Sequence, residues 1–122
     1  MDALAEIQSG AKRGHWMWFI FPQIAGLGRS QMAQRFAIGS LEEARAYLDH
    51  ALLGTRLREC LETLQDLPSE SATGVFGQVD ATKLRSSLTL FAQAGGGQMF
   101  DAAVTRWFGS MDQQTLWLID AN

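Results

Sequence analysis

His15 is one of two histidines in the chain, three residues after Lys12 and two after Arg13, and it directly precedes Trp16-Met17-Trp18-Phe19-Ile20-Phe21. An imidazole titrates near neutrality and serves as acid, base or ligand. With two cations beside it at the mouth of an aromatic run, it suits a negatively charged, planar ligand. A histidine hydrogen-bonding a nearby backbone group at a helix start is the plainer alternative. Trp16 and Trp18 offer faces on which a base or sugar ring can stack, although most of the run is expected in the core. Residues two apart point to different sides of a helix, so only one tryptophan can share a pocket with His15. Trp18, three along, and Phe19, four along, have the right spacing.

Further along, Lys83, Arg85, Ser86 and Ser87 fall in the first turns of a helix that Asp80 opens. Helix N-termini hold phosphate well, yet cations there oppose the helix dipole. A bound anion would explain them; so would solvated decoration, or a salt bridge to the acidic residues between Glu42 and Glu62. Lys83 and Ser87, four apart, share a face, whereas Lys83 and Arg85 do not. Gly26-Leu27-Gly28-Arg29-Ser30 has the glycines of a phosphate-cradling turn without a P-loop's Lys-Ser/Thr ending or preceding strand. A turn leading into a serine cap is the simpler reading, with Arg29 as an anion contact. The expected site therefore has His15 as its catalytic group and Arg13, Trp18, Gln23, Arg29, Lys83 and Ser87 as ligand-binding residues. No metal is expected, since no Asp or Glu stands at ligand spacing from His15, and no cofactor is called for. Cys60, the lone cysteine, lies within a leucine stripe and reads as inert core.

Composition narrows the classes. A chain of 122 residues is expected to form one domain, residues 1–122, burying about two-thirds of its unfolded surface. Apolar residues make up 47% and charged residues 19%, which reads as globular. A net charge of −3 argues against a nucleic-acid or anionic-membrane binder. One cysteine excludes an internal disulfide framework and fits a reducing compartment. The longest apolar run has six residues, far short of the ~20 that cross a bilayer. The N-terminus starts acidic without a signal-peptide pattern, and together these features point to a cytoplasmic protein.

The elements that must position these residues are helices. Asp2 can cap a first one carrying Leu4, Ile7 and Ala11, with Gly10 as its stop. The run 16–21 shows no amphipathic period, which predicts burial nearly all round. Burying six large side chains supplies on the order of 10 kcal/mol, as much as a small domain's net stability, so the core is expected to condense here. Pro22 ends whatever holds residues 16–20; with no partner strand in sight, a short buried helix is expected. Ser30 caps a short helix through Met32 and Phe36. Ser40-Leu41-Glu42-Glu43 is a capping box whose helix runs to about His50. Leu53, Leu57, Cys60, Leu61, Leu64 and Leu67 mark a longer helix ending at Pro68, with Arg56, Arg58, Glu59 and Glu62 decorating its other face. Residues 69–77 connect, with space for one helical turn at 73–76. Asp80 caps residues 81–94, with Leu84, Leu88 and Phe91 as the buried stripe. After Gly95-Gly96-Gly97, residues Phe100, Val104, Trp107 and Phe108 mark another helix closed by Gly109, and 113–119 a last one. The fold class is all-α: a compact array of six to seven short helices around a buried Trp/Phe-rich segment.

The stretch 12–23, Lys-Arg-Gly-His-Trp-Met-Trp-Phe-Ile-Phe-Pro-Gln, followed by Gly26-Leu27-Gly28-Arg29-Ser30, resembles the signature of an uncharacterised bacterial family. The family is known as domain of unknown function 1810 and is sometimes mislabelled calpastatin. Residues 40–48 and 83–91 look like two further blocks of it, so the likeness spans essentially the whole chain. The resemblance implies a mainly helical fold and no established activity. It also implies a further helical segment ahead of residues 2–7, where this sequence begins. An apolar patch left there would be covered by a partner or a second copy. The favoured function is binding, with hydrolysis conceivable, of a small anionic or planar ligand, nucleotide-like or a phosphorylated metabolite, near residues 12–23. A non-catalytic interaction module, self-associating or partner-binding, is the alternative.

Overall fold

The described residues form nine helices: α1 (Asp2–Gln8), α2 (Met17–Ile20), α3 (Gln31–Arg35), α4 (Leu41–Asp49), α5 (Leu53–Gln65), α6 (Ala72–Phe76), α7 (Gln78–Gln93), α8 (Gln98–Phe108) and α9 (Gln113–Ala121). They are seen in a computed structural model that describes residues 2–69 and 71–121, with the Asp2 side chain, and so its expected cap, outside the described part. Among these residues there is no strand, and no helix is long and apolar enough to cross a membrane. Six of the helices have seven residues or more, and α2, α3 and α6 are short pieces of four or five.

Helix starts follow local chemistry. The side chains of Ser30, Ser40 and Ser71 accept from the amides of Ala33, Glu43 and Gly74, three residues on. Glu43 reaches back as a capping box requires, but it takes the amide of Gly39 rather than of Ser40. His50 Nδ1 accepts from Leu52 and Leu53 N–H, each at 3.1 Å, capping α5. Asp80 does not cap α7: the helix begins at Gln78 behind Gly77, whose φ of +80° suits glycine, and Asp80 lies in its first turn. α4 and α5 cross where Gly54 leaves no space for a side chain, since a Cβ there would stand 2.0 Å from Leu48 O.

Residues 16–21 are not buried all round. α2 is a single turn, ended by Phe21 N–H donating to Met17 O. Trp16, Met17, Ile20 and Phe21 are buried, whereas Trp18 and Phe19 are half-buried. A helical face was present; two outward residues as apolar as the inward four concealed it.

The centre of the core is α7 rather than α2. Residues 86–91 are all buried, and α7 packs against α2, α4, α6, α8 and α9. Three of those six, Ser86, Ser87 and Thr89, read as polar in sequence. Ser86 Oγ donates to Thr82 O at 3.0 Å and Thr89 Oγ1 to Arg85 O at 2.8 Å, so two of the three hydroxyls are satisfied within the helix. Arg85 clamps α7 to the turn before α9 by donating to Ser110 O, Ser110 Oγ and Met111 O. Ahead of α3, Ala25 N–H donates to Ile38 O and Ile38 N–H to Gln23 O, an isolated parallel bridge that fixes the backbone next to Gln23.

Candidate functional site

The segment leading into α2 is held by a residue that sequence reasoning passed over. Glu6 Oε1 accepts from Arg13 N–H at 2.6 Å, Gly14 N–H at 2.8 Å and Trp16 Nε1 at 3.0 Å. The Gly14 and Arg13 amides, with the indole N–H, hold its carboxyl at about 2, well below the ordinary 4.5. Lys12 is equally committed. Its Nζ donates to Gly14 O at 2.5 Å, pairs with Asp80 Oδ2 at 2.6 Å and lies 4.9 Å from the centre of the Trp16 ring. Its side chain is 6% exposed. Arg13 gives its backbone amide to Glu6, and its exposed side chain lines a concavity with Ala5, Glu6, Ser9 and Ala11, none of them an expected ligand-binding residue. No short motif announces Glu6, because its three donors lie seven to ten residues away across a turn.

Three expected residues do come together. Gln23, Arg29 and Lys83 line one open cleft of about 430 Å³ with Leu27, Gly28, Gln78, Val79 and Thr82. Gln23 Nε2 donates to Ser86 Oγ at 2.8 Å, which fixes its amide against α7. Lys83 Nζ stands 3.7 Å from Asp80 Oδ1, so the carboxylate that binds Lys12 tightly holds Lys83 only loosely. The acidic partner expected between Glu42 and Glu62 is replaced by this residue within α7. Gly28 gives close packing rather than a phosphate cradle: a Cβ there would lie 2.4 Å from Ala33 Cβ. Ser87 does not line the cleft; it is fully buried, and its Oγ has no hydrogen-bond partner. The helical repeat puts it four residues from Lys83, but the face they share turns into the core at that point.

His15 and Trp18 belong elsewhere. His15 is exposed and stacks on Trp18, ring centroids 6.4 Å apart and planes 11° from parallel. Trp18 lines an aromatic cavity of about 370 Å³ with Phe19, Pro22, Phe36, Tyr47, Leu53 and Arg56. The chain crosses from one concavity to the other between Pro22 and Gln23. Arg56 and Arg58, expected as solvated decoration, are half-buried, and Arg58 Nη1 donates to Leu48 O at 2.8 Å. A third cavity, about 310 Å³, lies across α5 and is lined by Leu4, Leu52, Arg56 and Cys60 among others. Burial pushes the Cys60 thiol up to about 11, which leaves it protonated and unreactive at neutral pH. No group of three or more His, Cys, Asp or Glu side chains among the described residues could hold a metal ion.

No curated protein matches the chain. Its fold is matched by the crystal structure of the conserved hypothetical protein Rv1873 from Mycobacterium tuberculosis, with a TM-score of 0.95 and 46% sequence identity. That match covers 99% of this chain and 88% of the mycobacterial one. A family model matches residues 1–119, including the aromatic run, the Gln23–Arg29 loop and α7, and by that match the chain belongs to the family described as protein of unknown function DUF1810.

Proposed function

We propose that this domain binds a small phosphate-bearing ligand, nucleotide-like or a phosphorylated metabolite, in the cleft between the loop containing Gln23 and Arg29 and the first turns of α7. The observation that carries the reading is the convergence of Gln23, Arg29 and Lys83 on one concave surface. Arg29 and Lys83 supply positive charge, while Gln23, Gln78 and Thr82 supply polar groups around it. Because Asp80 is paired at 2.6 Å with Lys12, it offsets Lys83 less than a lone neighbouring carboxylate would. Leu27 and the exposed Val79 give the cleft an apolar rim, which favours an organic phosphate over a bare inorganic ion. None of the lining residues is a histidine, carboxylate or thiol, so binding is the proposed activity, without hydrolysis and without a part for His15.

The test is a thermal-shift screen of nucleotides and sugar phosphates on wild type, Arg29→Ala and Lys83→Met. A ligand present at a hundred times its Kd adds about 2.7 kcal/mol, several degrees for a chain of this size. The expected result is a hit on wild type that both variants lose while their unliganded melting temperatures stay put. A flat screen, or a hit that both variants retain, would overturn the reading.

A further inference from the structure

We infer that the aromatic cavity beside α2 is a second ligand site, one that takes a flat aromatic carboxylate with Arg56 as its anchor. Arg56 is a half-buried arginine with one donor left over. Arg58 donates to Leu48 O, Arg85 to three groups of the turn before α9, and Arg106 to the carbonyls of Gln65, Leu67 and Ser69. Arg56 lies with its guanidinium carbon 5.6 Å from the centre of the Phe19 ring and hydrogen-bonds the Tyr47 side chain, which leaves its Nε buried and without a hydrogen-bond partner. Among the described residues no carboxylate reaches ion-pair distance of it. A half-buried cation in that state is costly unless something neutralises it.

The walls specify the rest of the ligand. Trp18, Phe19, Phe36 and Tyr47 present aromatic surface, with Pro22 and Leu53 completing the lining. The Tyr47 hydroxyl is already committed, donating to Phe19 O at 2.7 Å and accepting from the Arg56 side chain. Aromatic faces stack flat rings, and a guanidinium fork matches the in-plane oxygens of a carboxylate. A volume of about 370 Å³ lies in the range of small-molecule pockets and suits one or two fused rings. His15, stacked on Trp18, steadies one wall at the rim. No lining residue is shared with the cleft at Lys83, so the two sites fail or stand separately.

Benzoate, indole-3-carboxylate and 2-naphthoate are the probes, each titrated calorimetrically beside its neutral amide and beside hexanoate. The aromatic carboxylates should bind wild type about tenfold or more tighter than either control. Arg56→Met should remove the advantage over the amide, and Lys83→Met should leave it intact. Equal binding of acid and amide, no binding at all, or loss in Lys83→Met alone would overturn the assignment. Should Arg56→Met fail to fold, the Arg56 Nε–H resonance of wild type decides: it moves on titration with 2-naphthoate if the site is right, and an unmoved resonance refutes it.

Discussion

Two lysines meet the same carboxylate, Asp80, at 2.6 Å from Lys12 and 3.7 Å from Lys83. Lys12 is 6% exposed, tied also to Gly14 O and set against the Trp16 ring. Lys83 is 26% exposed and shares its cleft with a second cation, Arg29. In sequence both are cations near a recognisable motif, and both invite the same reading as anion contacts. Surroundings separate them: the charge of Lys12 is consumed in closing the turn ahead of α2, and that of Lys83 is only partly offset. A cation is a candidate for recognition when the fold leaves its donors available, not when its neighbours in sequence look like a site.

Breaking the structural lysine should have the largest effect. Lys12→Met leaves Asp80 without its close partner, and removing one member of a largely buried pair is expected to cost about 3 kcal/mol, lowering the melting temperature by roughly 10 °C. A melting temperature within a degree or two of wild type would place Lys12 with the exposed cations. Gly28→Ala comes next. The new Cβ must push α3 away from the loop that carries Arg29, at about 1–3 kcal/mol, and Ala33→Gly in the same chain should restore most of the loss. Failure of that rescue would reopen a direct role for the Gly28 backbone.

Glu6 sharpens the comparison through pH. Its folded value of about 2 lies below the ordinary 4.5, so between those limits the unfolded chain binds more protons. Its stabilisation is therefore complete above pH 4.5 and lost as the pH falls towards 2. Denaturant midpoints recorded from pH 6 to pH 2 should fall more steeply for wild type than for Glu6→Gln; parallel profiles would detach Glu6 from the turn it holds. The smallest effect belongs to the cleft. Arg29→Ala and Lys83→Met should each stay within about 0.5 kcal/mol of wild type in the absence of ligand, and a larger loss would make Lys83 as structural as Lys12.

Much of this contrast lies beyond local reading. Ser30 and Ser40 announced their helices because a cap is satisfied within three residues. Pro22 and Gly109 announced the ends of theirs through backbone limits equally local. The aromatic run was legible as core, but not its division into four inward residues and two that wall a cavity, since all six are apolar. α7 was legible as a helix and illegible as the centre, because Ser86, Ser87 and Thr89 read as polar until their burial is seen.

The sequence by itself determined the helical class, most helix boundaries and the family resemblance, each of which depends on neighbours within a few positions or on a contiguous motif. Only the tertiary structure decided which charges are spent. Gln23 meets Ser86 across 63 positions, Lys12 meets Asp80, and Arg56 meets Phe19 while its Nε goes unpaired. Charge and hydrogen bonding act through space, and a chain that folds back on itself brings together groups whose spacing in sequence carries no trace of the encounter.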